Sequence, residues 1–130
     1  MKELKTRAVK AASTYLDHRG YTVLEVGWRS EAGTADVIAE DGDALVFVKV
    51  RARSGAEAGF PAERHSASER AVRERVVMTY LAQHDAVDIP IRFDDVSLVA
   101  ISPDRAMIRH HINSLCADIE LPEEALPEVA

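Results

Sequence analysis

A chain of 130 residues, 47% apolar and 29% charged, can build one core and leaves little room for a second domain. Its longest apolar run, Ala44 to Val48, is too short to span a bilayer, and Met1-Lys2-Glu3-Leu4-Lys5 lacks the apolar stretch of a signal peptide. One cysteine, Cys116, excludes an internal disulfide framework, and a net charge of −6 argues against general polyanion binding.

A cytoplasmic location is the expectation. The charge is unevenly spread, because residues 110–130 hold five acids and no Lys or Arg, leaving 16 bases against 17 acids elsewhere. Between Lys49 and Arg75, seven bases stand against four acids, which allows a local basic face.

The elements follow in order. Leu4, Ala8, Ala11, Ala12, Tyr15 and Leu16 recur at helical spacing, predicting a helix from Lys2 to Arg19 that Gly20 stops. Tyr21 to Trp28 reads as a strand. Arg29 to Gly33 reads as a turn, Ala35 to Ala39 as a second strand, and Glu40-Asp41-Gly42-Asp43 as a tight turn. Ala44 to Arg53 is a third strand, whose run Leu45-Val46-Phe47-Val48 places it at the centre of a sheet.

Ser54 to Pro61 reads as a loop. Ser66-Ala67-Ser68-Glu69 has the form of a capping box, opening a helix to about His84 with Val72, Val76, Val77, Tyr80 and Leu81 facing the core. Ile91 to Ile101 is a further strand, and Ala106 to His110 is either a last short strand or the start of a helix. Residues 1–120 are expected to form one domain, with 121–130 an acidic, frayed tail. The order predicts an α/β (α+β) fold, a mixed sheet flanked by helices.

Short motifs in this order resemble the YraN-like family, a branch of the restriction-endonuclease-like PD-(D/E)XK superfamily, over roughly residues 6–112. They are Tyr15-Leu16, Gly20-Tyr21, Gly27-Trp28-Arg29, Gly33-Thr34-Ala35-Asp36, the strand Val46-Phe47-Val48-Lys49-Val50-Arg51-Ala52-Arg53, Pro61-Ala62-Glu63 and Arg92-Phe93-Asp94. The resemblance implies a nuclease-like fold in which an Asp and a Glu on adjacent strands hold Mg²⁺. A Lys two residues beyond the Glu lies on the same strand face and serves the attacking water.

The catalytic positions of that motif are here Asp36, Lys49 and Arg51. Asp36 keeps the family's acid, while Lys49 replaces the Glu and Arg51 replaces the Lys. The family's acid on the first helix aligns with Val9, and its turn Glu with Thr34. An ammonium repels a divalent ion that a carboxylate would hold, and an arginine is a poor proton-transfer group. The expected function is therefore a nuclease-like domain without cleavage activity that binds DNA or RNA, through Arg51, Arg53, Arg70 and Arg73.

Two alternatives stand beside it. An active endonuclease would need a relocated carboxylate (Glu31, Glu40 or Glu63), with Asp36 and Glu63 the favoured metal pair and Mg²⁺ or Mn²⁺ the cofactor; otherwise no cofactor is expected. A non-enzymatic interaction module would carry an apolar patch, with Ile89, Pro90 and Ile91 at a sheet edge and a homodimer as one outcome. For Lys49 the simpler expectation is a buried salt bridge to Asp36. For Arg70 and Arg73 it is solvated helix surface, for Trp28 and Cys116 it is core, and for the five histidines it is ordinary structural use.

Overall fold

The computed structural model describes residues 2–55, 59–61, 66–84 and 88–115. Helix α1 spans Lys2–His18. Ala8, Val9, Ala12 and Leu16 recur on one of its faces and are buried against the sheet. The helix ends where expected, with Gly20 at φ +95° and the Tyr21 amide donating back to the Leu16 carbonyl at 3.0 Å.

Five strands follow the predicted order: β1 (Thr22–Ser30), β2 (Gly33–Asp41), β3 (Ala44–Ser54), β4 (Ile91–Ser102) and β5 (Arg105–His111). Helix α2 (Ala67–Gln83) lies between β3 and β4 in the chain. The sheet order is β1-β2-β3-β4-β5, antiparallel except for the parallel pair β3/β4. A parallel pair needs a crossover, and α2 supplies it. Helix α1 packs on one face around Val37, Val46, Val48 and Val50. Helix α2 covers the other with Val76, Val77 and Tyr80 against Ile38, Leu45 and Phe47. This is the mixed sheet flanked by helices expected of a restriction-endonuclease-like domain.

Several boundaries differ from expectation for identifiable reasons. Arg29 and Ser30 pair with Thr34 and Gly33, so the turn shrinks to Glu31-Ala32. Gly33 sits at φ +144°, and an added Cβ would meet Val76 Cγ2 at 3.2 Å and Val72 Cγ1 at 3.3 Å; its bare backbone is what lets α2 approach β2. Residues 105–111 are a strand and not a helix start, completing a hairpin with β4. The β4 strand lies inside the sheet, and the Pro90 carbonyl accepts from the Leu45 amide at 2.8 Å. Ile89-Pro90-Ile91 is therefore not at a sheet edge; β1 and β5 are the edges.

The capping box forms only in half. Ser66 Oγ accepts from the Glu69 amide at 3.2 Å, but the Glu69 carboxylate turns away to Arg51. Glu63, His65, Cys116 and the segment 121–130 lie outside the described residues. Among those described, no helix is long and apolar enough to cross a membrane.

Candidate functional site

The β2/β3 ladder pairs Asp41 with Ala44 at one end and Val37 with Val48 at the other. At Asp36 the carboxylate takes over: its Oδ2 accepts the Val50 amide at 2.8 Å. The same oxygen accepts from Lys5 Nζ at 3.0 Å, and Lys5 also donates to the Val50 carbonyl. Lys5 therefore clips α1 to the opening between the two strands. Val9, one turn further along the helix and at the family's acidic position, is buried in the α1-side core.

The expected Lys49–Asp36 bridge does not form, because Lys5 reaches the carboxylate from the helix above. Lys49 is instead half-buried in a cleft of about 230 Å³ against α2, lined also by Ser68, Glu69, Val72 and Arg73. Among the described residues its ammonium has no hydrogen-bond or ion-pair partner. Burial pushes its pKa below the ordinary lysine value; Asp36 opposes that shift, while Lys5 and Arg51 add to it.

Arg51, two positions on, faces the same side and is fully engaged. It pairs with Asp95 and, at 3.5 Å, with Glu69 Oε1. Asp95 stands opposite Lys49 in the β3/β4 register and is fully buried. Its Oδ1 also takes Arg73 Nη1 at 2.9 Å and Ser114 Oγ at 2.8 Å. Burial alone would raise the Asp95 pKa, but Arg73, Ser114 and Arg51 outweigh it and hold the carboxyl below its usual range. Arg73 further donates to the Phe47 and Asp94 carbonyls and lies over the Phe93 ring.

Neither α2 arginine is merely solvated, since Arg70 donates to the Leu115 carbonyl at 3.0 Å. Arg53 continues the Lys49–Arg51 face of β3, half-buried. Arg51, Arg70 and Arg73 are thus engaged within the fold, and among the described residues Lys49 reaches the cleft without a hydrogen-bond or ion-pair partner.

A two-carboxylate metal site does not fit these residues. Asp36 Oδ2 already holds Lys5 and the Val50 amide, and the second ligand position carries an amine. Glu40 lies four residues along β2 from Asp36, about 13 Å away at strand rise, and Glu31 sits exposed in the β1–β2 turn. No group of three His, Cys, Asp or Glu able to hold a metal occurs among the described residues.

The adjacent acid, Asp94, serves the other face of the sheet and holds β4, β5 and Tyr21 together. Its oxygens accept from Arg92 Nε at 2.9 Å, Arg92 Nη2 at 3.0 Å, His110 Nε2 at 2.8 Å, the Asn113 amide at 2.9 Å and the Tyr21 hydroxyl at 3.2 Å. Burial pushes its pKa up, but hydrogen bonds from His110, Arg92 and Asn113 overcome this and hold it at about 2. A folded pKa below the unfolded value stabilises the fold above the unfolded pKa, and that share is lost as pH falls through about 2. The gap in urea midpoint between wild type and Asp94→Asn is expected to be wide at pH 7 and to narrow at pH 3. A gap independent of pH would mean that the carboxylate charge contributes nothing.

The remaining candidates fall to structural roles. Trp28 packs edge-on against Tyr80 in the α2-side core, and His84 caps α2 while stacking on Tyr80. A larger cavity, about 620 Å³, lies between α1 and β3–β5, lined by Leu4, Ala8, Ala11, Leu98 and Ile108. Its nearby Arg7 is committed to the Pro103 carbonyl. Unlike the Lys49 cleft, it gathers no set of convergent reactive groups.

Comparison with known proteins is consistent with this architecture. The model of "Uncharacterised protein family UPF0102" matches residues 9–98. The chain is 34% identical over 101 residues to a UPF0102 protein of Beutenbergia cavernae, covering 78% of this chain and 86% of the relative. It is 39% identical over 102 residues to one of Roseiflexus castenholzii, covering 76% and 82%. With one of Geobacter sulfurreducens it shares 29% over 113 residues, covering 87% and 88%. Fold, motif order and these relatives agree: the chain belongs to the UPF0102, or YraN-like, family.

Proposed function

We propose that this chain is a nuclease-like domain that binds a polynucleotide backbone without metal-dependent cleavage, Lys49 contacting a phosphate. The observation that carries the reading is the Lys49 ammonium, half-buried in the α2 cleft with no partner among the described residues. Charges taken out of water are ordinarily paired, and a cation left open in a cleft is accounted for by an anion that comes and goes. The nuclease resemblance makes a phosphate diester the fitting anion, and DNA or RNA in the cytoplasm the fitting partner. The Lys5–Asp36 clip supports the loss of cleavage, because it occupies the one carboxylate kept at the motif.

Fluorescence anisotropy with single-stranded and branched DNA and RNA, in EDTA over a salt series, tests the reading. Binding is expected without metal and to weaken with salt. Lys49→Met is expected to cost about 1.4 kcal/mol, a factor of ten in Kd, and to lower the salt slope by about 1. Cleavage in Mn²⁺ that Asp36→Asn abolishes would overturn the reading, as would failure to bind any of these strands.

A further inference from the structure

The chain has four lysines, and three of them, Lys2, Lys5 and Lys10, lie on α1. Its cations elsewhere are arginines except at Lys49. A guanidinium holds a phosphate at least as well as an ammonium and stays protonated. What only the amine can do is shed its proton and attack an electrophilic carbon.

The surroundings of Lys49 suit that chemistry. Among the described residues its amine is uncommitted, whereas the Lys5 amine is bound to Asp36 and the Val50 carbonyl. Val72 forms an apolar wall of the same cleft, and the Glu69 carboxylate lies on its rim, 44% exposed and steadied by Arg51. Arg73 and the first turn of α2 add positive potential. Burial, with the neighbouring cations Lys5 and Arg51, favours the neutral amine and outweighs the opposing pull of Asp36 and Glu69.

We propose that Lys49 is a nucleophile that condenses with a sugar aldehyde carried next to a phosphate. Such a group is found at an abasic position in a nucleic-acid strand or on a free sugar phosphate. The proposal rests on the phosphate-binding reading of the cleft and adds a reaction to it. Lys49 Nζ gives one proton through a water to Glu69 and attacks the aldehyde carbon; the C=O π pair moves to oxygen, and a second proton passes from the nitrogen to that oxygen to form a neutral carbinolamine. Its hydroxyl leaves as water with a proton from Glu69, and a protonated imine remains. In sum, ammonium and aldehyde yield an iminium and one water, so the positive charge beside the phosphate survives.

Where a phosphate sits β to the aldehyde carbon, Glu69 removes a proton from the carbon next to the imine. The C–H pair becomes a C=C bond, the C–O bond to phosphate breaks, and the phosphate leaves with the bonding pair. Water then hydrolyses the imine and frees Lys49.

The test uses the full chain in EDTA with three probes: an oligonucleotide holding one abasic site, the same strand intact, and glyceraldehyde 3-phosphate. Borohydride reduces any imine to a stable secondary amine, which peptide mass mapping locates. The expected result is an adduct on Lys49 in preference to Lys2, Lys5 and Lys10. Lys49→Arg is expected to remove trapping by far more than it weakens strand binding, while Lys10→Arg leaves trapping intact. An adduct with the abasic strand alone identifies nucleic acid as the source, and one with glyceraldehyde 3-phosphate alone identifies a free sugar phosphate. No adduct with either probe, or adducts spread over the α1 lysines, would overturn the proposal. Binding of the intact strand, measured in the same series, reports separately on the phosphate reading; strand binding without trapping removes the lysine chemistry alone.

Discussion

A Lys49→Glu, Lys5→Met double variant is expected to bind Mn²⁺ in the millimolar range or tighter, where the wild-type chain gives no heat of binding. Asp36 is already in place at the opening between β2 and β3, 8% exposed, with one oxygen bound to the Val50 amide. Two cations stand against a metal there: Lys5 on the carboxylate itself and Lys49 close enough that Asp36 and Lys5 both act on its pKa.

Two unit charges 4 Å apart interact by about 4 kcal/mol at an effective dielectric near 20, and a divalent ion doubles this. Turning one repulsive cation into an attractive carboxylate and removing the other therefore outweighs the roughly 4 kcal/mol of a millimolar site. Isothermal titration of the two single variants and the double variant reads the effect. Only the double variant is expected to respond fully, since either remaining lysine still repels the ion. A silent double variant would show that strand geometry, not charge, has removed the metal site. Wild-type binding that depends on Asp36 would show that the lysines do not exclude it.

How far this site was visible in the sequence depends on how far apart its members lie. The apolar run Leu45–Val48 and the helical spacing of Ala8, Ala12 and Leu16 are local signals, and both elements stand where those signals put them. The exchange of acid for Lys49 was legible through motif spacing. What Lys49 touches was not, because the competitor for Asp36 is Lys5, 31 positions away on another element. Likewise Arg51 reads as one of an alternating basic stripe, yet its partner Asp95 is 44 positions on.

One overlooked signal was available. Asp94-Asp95 is an acid pair inside a largely apolar strand. Strand alternation sends the two side chains to opposite faces, and buried carboxylates demand cations on each. Arg92 and His110 answer on one side, Arg51 and Arg73 on the other.

Asp95 and Lys49, opposite one another in the β3/β4 register, are expected to respond to substitution with opposite signs. Asp95→Asn removes the buried carboxylate shared by two guanidiniums, Arg51 at 15% and Arg73 at 12% side-chain exposure, although Arg51 keeps its rim pair with Glu69. Removing one partner of a buried ionic network costs roughly 3–5 kcal/mol, a large part of the roughly 5–15 kcal/mol that holds a typical domain together. Lys49→Met does the reverse. The ammonium, without a partner among the described residues, is half out of water, and its removal is expected to stabilise the fold by about 1 kcal/mol.

The sign for Lys49 follows from its pKa, which folding lowers. Its contribution to stability is present above the unfolded value of 10.5 and is lost as pH falls through the folded one. The gain from Lys49→Met should therefore be largest at neutral pH and shrink as pH rises toward 10.5. Urea midpoints at pH 7 and pH 10 for wild type and both variants would measure this. A Lys49→Met protein less stable than wild type at pH 7 would mean that the amine has a native partner within the chain. A more stable one that no longer binds its strand is what a residue kept for a ligand, at the expense of folding, should give.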